Sequence, residues 1–155
     1  MIKVIKLTAI PANSNVLKGF GTVDYYDIYQ IRIVTDKSAE ETSKRIMKLP
    51  GWVNVLFYIR NRIMGIFGLK TDKNITESDT FFKLVENRED EIVMGEEDKH
   101  LDFRASIIKD KLENTISLIT IVHFNNIWGR VYFFPVKPFH KIIMKALFKR
   151  YLKNG

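Results

Sequence analysis

Cysteine is absent from the 155-residue chain. That excludes a disulfide scaffold, thiolate metal sites and a cysteine nucleophile. Histidine is scarce: His100, His123 and His140 stand far apart, too dispersed for a histidine-rich zinc site. Long apolar runs are missing as well. The opening MIKVIKLTAIPANSN is interrupted at Lys3 and Lys6, too short an apolar run for a signal peptide or a span. The longest apolar-looking segment, Gly51 to Leu69, carries Asn54, Arg60, Asn61 and Arg62, which a bilayer core does not tolerate cheaply. A cytoplasmic location without targeting sequence or transmembrane segment is the expectation. Recognisable catalytic motifs are missing too. There is no Walker loop and no Gly-x-Ser-x-Gly elbow, and GFGTVD (residues 19–24) precedes a strand rather than a helix. The acids of GEED with Asp102 match no calcium loop. No metal and no cofactor are expected.

What is present suits one domain across residues 1–155. A chain of 18.2 kDa buries about 68–70% of its unfolded surface, enough for a sizeable core. Hydrophobic residues make up 46% and charged residues 28%, which argues against disorder. The net charge is +7 and the isoelectric point about 9.5. A lysine-rich surface that aids solubility accounts for this balance. An anionic partner is the rival reading; no nucleic acid is expected.

Along the chain, YYDIYQIRIV (residues 25–34) is rich in aromatic and β-branched residues and predicts a strand, with Tyr29, Ile31 and Ile33 on one face. Ser38 and Glu41 form a capping box, predicting a helix to about Lys48 before Pro50. A second helix is predicted from Gly51 to about Phe67, with Arg60 within its apolar stripe. The guanidinium there either meets a carboxylate or snorkels to water. Strands are expected at Phe81–Asn87, Glu91–Glu96, Lys99–Ile108 and Thr115–Asn126, joined by short polar turns as an antiparallel meander. Gly95 suggests a bend. Pro138 suits the first turn of a terminal helix whose apolar face is Phe139, Ile142, Ile143, Ala146, Leu147 and Tyr151. Residues 128–134 are compatible with an earlier helical start, kinked at Pro135 and Pro138. The expected class is α+β, a sheet with helices gathered on one face.

This order of elements resembles the helix-grip fold of the SRPBCC superfamily, which includes START, Bet v 1 and polyketide cyclases. More narrowly, DYYD (residues 24–27), LPGWVNVLFYIRNRIMGIFGLK (49–70), MGEEDKHLDFRASI (94–107) and WGRVYFFPVKPFHKIIMKAL (128–147) resemble an uncharacterised bacterial family within it, a domain of unknown function. The resemblance implies a curved antiparallel sheet packed on a long C-terminal helix, two short helices after the first strand, and a ligand cavity between sheet and terminal helix. It implies no particular activity.

The candidate ligand-binding residues are Arg60, Asp98, His100, Asp102, Arg104, Trp128, Arg130, Tyr132 and His140. In HLDFRASI, Leu101, Phe103, Ala105 and Ile107 face one way and His100, Asp102, Arg104 and Ser106 the other. That polar row is either the wet side of a half-buried strand or the lining of a cavity mouth, with Arg60 or Arg130 as partners for its acids. His100 and Asp102 lie about 6.5–7 Å apart along the strand, within reach of an acid–base pair. His123, in phase with Ile119 and Ile121, suits a hydrogen-bonded core position. His140 and Tyr132 reach a cavity only if the terminal helix covers one. Three functions follow as expectations. The first is binding of an apolar or amphipathic small molecule between sheet and terminal helix. The second is a cyclase- or hydrolase-like enzyme using the same cavity. The third is attachment to anionic membranes through the basic terminal helix.

Overall fold

Alternation in YYDIYQIR becomes a strand, Tyr25–Arg32, which joins the sheet by pairing with residues 115–122, far along the chain. A computed structural model of the protein describes residues 2–48, 51, 58, 62, 65 and 83–154. Of the predicted second helix only Gly51, Tyr58, Arg62 and Gly65 are described, each of them helical; Arg60 lies outside the described residues. Among the described residues the strands are β1 (Ile5–Lys6), β2 (Tyr25–Arg32), β3 (Lys83–Asn87), β4 (Glu91–Glu97), β5 (Leu101–Asp110) and β6 (Thr115–Phe124). They form one sheet in the order β1-β2-β6-β5-β4-β3, and every pairing is antiparallel. The expected meander is therefore present from β3 to β6, and β2 closes onto its last strand. Helix α1 (Ala39–Ile46) starts where the capping box places it, with Ser38 Oγ accepting the Glu41 N–H at 3.1 Å. Helix α2 (Ile127–Asn154) ends the described chain. This is an α+β fold, a six-stranded antiparallel sheet with a long C-terminal helix, and it is compatible with a helix grip.

Register assigns each strand face. Tyr29 pairs with Leu118 and Leu118 with Ile107, so these three side chains share the face that meets the helices. There they pack with Ile31, Ile92, Met94 and Ile116, with Ala39 and Ile46 of α1, and with Met144, Leu147, Phe148 and Tyr151 of α2. Each fully buried aliphatic side chain of this kind contributes about 1.5–3 kcal/mol of transfer free energy. The opposite face is also covered. Val16 is fully buried against Ile28, Val93, Ile108, Ile119 and Ile121, with Leu7, Ile10, Phe20 and Val23 packed around them. Residues 7–23 thus form an arm across the back of the sheet, a role that no periodicity in the N-terminal sequence announces.

Three expectations change. Gly95 does not make a bend: β4 runs through it, and a Cβ there would stand 2.5 Å from the Phe103 carbonyl oxygen, so the glycine serves a close strand approach. Strand β5 begins at Leu101, leaving His100 in the turn before it. Helix α2 begins at Ile127 and runs through Pro135 and Pro138, so Pro138 is not in its first turn. Its buried side is Phe133, Met144, Leu147, Phe148 and Tyr151, whereas Phe139 and Ile142 of the expected apolar face are 48% and 56% exposed. The helix has apolar side chains on opposite sides along residues 127–142, and only packing selects which side turns inward.

Candidate functional site

Where α2 crosses β2 and β6, polar side chains replace aliphatic ones. Asp27 of β2 lies opposite Thr120 of β6 on the helix-covered face, two residues along from the Tyr29–Leu118 pair. The Asp27 side chain is fully buried. Its Oδ2 accepts the Tyr25 O–H at 2.6 Å and lies 3.8 Å from His140 Nε2 of α2. Its Oδ1 is 4.0 Å from Lys6 Nζ on β1. Asp27 Oδ1, Thr120 Oγ1 and His140 Nε2 are buried with no hydrogen-bond partner among the described residues. Three such atoms on facing residues are unusual, because buried polar groups are nearly always paired.

Electrostatics at this spot follow from burial. The His140 imidazole titrates below its ordinary range because desolvation disfavours its charged form, against a smaller opposing pull from Asp27. Burial, reinforced by Asp27, pushes the Tyr25 phenol upward and raises Tyr29 to about 12. At neutral pH the cluster therefore holds a neutral imidazole and two protonated phenols around one carboxyl group. Such a set can both donate to and accept from a ligand hydroxyl or carbonyl.

Above the cluster opens a cleft of about 220 Å³ lined by Asp24, Tyr25, Phe124, Arg130, Phe133, Phe134 and Lys137. Its floor is aromatic, with the Phe133 ring 4.8 Å from Tyr25 and 5.5 Å from Phe124. Cations stand over two of these rings, Lys137 Nζ 5.2 Å from the Tyr25 centroid and Arg130 Cζ 5.1 Å from that of Phe124. Asp24 Oδ2 accepts the Phe124 N–H at 2.8 Å, and Asp24 Oδ1 lies 3.6 Å from Arg130. The Phe124 N–H, with His123 and Arg130, holds the Asp24 carboxyl below the usual range. Tyr25 joins the two regions, with its ring in the cleft and its hydroxyl on Asp27. A larger hollow of about 620 Å³ lies among the charged turns around Arg88–Asp90 and Lys109–Leu112, away from this cluster.

The other candidates lie elsewhere. His100 is buried in the β4–β5 turn, where its Nδ1 is 3.1 Å from Asn126 Oδ1 and its carbonyl accepts the Asn125 N–H. Asn126 Oδ1 also accepts the Gly129 N–H at 3.2 Å, capping the start of α2. Asp102 Oδ1 accepts from Asn125 Nδ2 at 3.0 Å and from the Asp98 N–H at 3.2 Å, while the Asp98 carbonyl accepts from Asn125 Nδ2. This group stitches the hairpin to the N-terminus of α2. Arg104 points to the back of the sheet, where its Nη1 donates to the Val16 carbonyl at 3.1 Å and to that of Lys18, and its guanidinium covers the Phe20 ring. The row His100, Asp102, Arg104 thus lies away from the cleft and is tied to the arm and the helix cap, with Asp102 and Arg104 half-buried. His123 Nδ1 lies 2.8 Å from Asp24 Oδ2, close enough for an ion pair though without hydrogen-bond alignment. Trp128 and Tyr132 are on α2 near its start, Trp128 54% exposed. Of the candidates, the structure brings Arg130 and His140 to the cleft and its cluster.

Tyr25, Asp27, Thr120 and Lys137 were not among the sequence candidates. The available signal was Asp27 itself, an acid in phase with Tyr29 and Ile31 on a strand face that is otherwise aromatic and aliphatic. A carboxyl on a buried face demands partners; Tyr25 stands two residues away, whereas His140 and Lys6 come from distant parts of the chain.

The family model for Protein of unknown function (DUF2867) matches residues 20–147. The chain belongs to that family. No curated protein and no solved structure matches it. The matched span runs from the end of the arm into α2, and so contains both the cleft and the polar cluster.

Proposed function

We propose that this protein binds an apolar or amphipathic small molecule between its sheet and C-terminal helix, in a helix-grip domain of the START and Bet v 1 type spanning residues 1–155. The observation that carries this reading is the buried trio Asp27 Oδ1, Thr120 Oγ1 and His140 Nε2, without hydrogen-bond partners among the described residues, beside an aromatic cleft. A ligand polar end would meet that trio, and its apolar body would lie on Tyr25, Phe124 and Phe133. Arg130 and Lys137 at the rim favour a ligand carrying negative charge. At about 220 Å³ the cleft is smaller than the roughly 300–1,000 Å³ of common ligand pockets, which suits a small ligand or one end of a longer one. A cytoplasmic location belongs to the same reading.

Titration with the fluorescent probe anilinonaphthalene sulfonate, an aromatic anion, tests it. Saturable binding is expected, weakened at least fivefold by Arg130→Glu combined with Lys137→Glu. Binding that never saturates, or that ignores both substitutions, would count against the reading. Native mass spectrometry of protein purified from its own host is the companion measurement, with a retained adduct expected.

A second reading, a cyclase- or hydrolase-like enzyme, is favoured by one separation. His140 Nε2 and Asp27 Oδ2 lie 3.8 Å apart, near the range in which a carboxyl orients an imidazole base. Under it, Asp27→Asn would abolish turnover of a bound substrate while leaving probe affinity within about twofold.

A further inference from the structure

Helix α2 presents to solvent a surface unlike the rest of the chain. Seven of the 25 basic residues and none of the 18 acidic ones fall within residues 127–154, leaving 18 of each sign elsewhere. The helix alone therefore carries a charge equal to the whole net charge of +7. Its outward side is segregated along its length. Opposite the buried stripe, at helical spacing, stand Val131, Phe134, Phe139 and Ile142, exposed by 50%, 82%, 48% and 56%. They span about three turns, roughly 17 Å. Beyond them the same side continues as Lys145, Lys149 and Lys153, and Arg130, Lys137 and Lys141 border it. Among the described residues no helix is long and apolar enough to cross a membrane.

We propose that this outward face of α2 docks the protein on the surface of an anionic lipid bilayer. The apolar side chains enter the boundary between headgroups and acyl chains, and the lysines meet the lipid phosphates. Charge selects this occupant: a cationic border around an apolar strip, with no acid on the helix, complements an anionic interface. Phe134 and Lys137 belong both to this face and to the rim of the cleft, so docking would set the cleft against the lipid. The inference stands without the ligand reading, because none of its tests uses cleft residues.

Flotation on phosphatidylcholine vesicles, with and without one quarter phosphatidylglycerol, decides it. Each basic residue near an anionic surface strengthens binding roughly fivefold. The protein is expected to float at least tenfold more on the anionic vesicles and to be released at about 0.5 M NaCl, where the Debye length falls to a few ångströms. Val131→Asp with Ile142→Asp, and separately Lys145→Glu with Lys149→Glu, should each reduce flotation at least tenfold. Their circular dichroism should match the parent, since all four positions are exposed. Absence of flotation, or flotation indifferent to lipid charge and to both pairs, overturns the proposal. It is overturned equally if the parent does not float and is instead a dimer that the Val131 and Ile142 substitutions dissolve, since the face would then serve self-association.

Discussion

His140 shows how a single buried group gives the protein a pH dependence. Its folded-state titration is lowered by burial, while the unfolded chain titrates near the ordinary value of about 6.5. Below that pH the unfolded state therefore binds the extra proton and the folded state resists it. The stability contributed by the neutral imidazole is complete above about pH 6.5 and declines as the pH falls, by at most about 1.4 kcal/mol per pH unit. We expect urea midpoints to fall between pH 7 and 5, and His140→Gln to flatten that decline. Equal slopes in parent and variant would place the acid sensitivity elsewhere. The glycine at position 129 acts through space rather than charge. A Cβ there would stand 2.1 Å from the His100 carbonyl oxygen, so Gly129→Ala must push the β4–β5 turn away from α2. A loss of about 3 kcal/mol in urea denaturation is expected, far beyond the small gain that alanine offers inside a helix.

At the scale of elements, the arm and α2 are each held by a few polar ties over a broad apolar contact. Glu91 is the main tie of the arm. Fully buried, its carboxyl accepts from Ser14 Oγ, from the Asn15 N–H at 2.7 Å and from Ser106 Oγ, and lies 3.5 Å from Arg88. Glu91→Ala strands these donors, two of them hydroxyls beside a buried face, and should cost about 3 kcal/mol. Hydrogen exchange should rise first in residues 7–23 if the arm loosens before the sheet. Uniform exchange across the sheet would argue that the arm and sheet unfold as one unit. Helix α2 tolerates Pro135 and Pro138 for a local reason. The prolines leave the carbonyls of Val131 and Phe134 without their helical donors, and both residues are exposed, so water can reach them.

The described residues form a sheet covered on both faces, by α1 and α2 on one and by the arm on the other. Coverage on both faces explains why β6 is buried from Thr115 to Val122 rather than alternating. Deleting residues 2–23 would bare Ile28, Val93, Ile108, Ile119 and Ile121 together. The truncated chain is expected to lose cooperative unfolding or aggregate, checked by calorimetry and light scattering. A monomer with an unchanged transition would mean the back core is dispensable.

The sequence by itself determined what short-range physics controls. Side-chain alternation located β2, β4, β5 and β6, and Ser38 with Glu41 located the start of α1, because strand period and helix capping act within a few residues. The two faces of HLDFRASI were legible for the same reason. Only the tertiary structure decided what each face meets. Arg104 turned to the arm because Val16 and Lys18 bring their carbonyls there from the N-terminal end of the chain. His100 and Asp102 became ties of a helix cap because Asn125 and Asn126 follow the last strand back to the turn. The apolar residues of α2 lie on opposite sides, and the buried stripe was chosen by contact with Tyr29, Ile31 and Ile46, which no periodicity encodes. Asp27 and His140 meet for the same reason: β2 pairs with β6, and α2 folds back over both, so packing joins groups that sequence distance keeps apart.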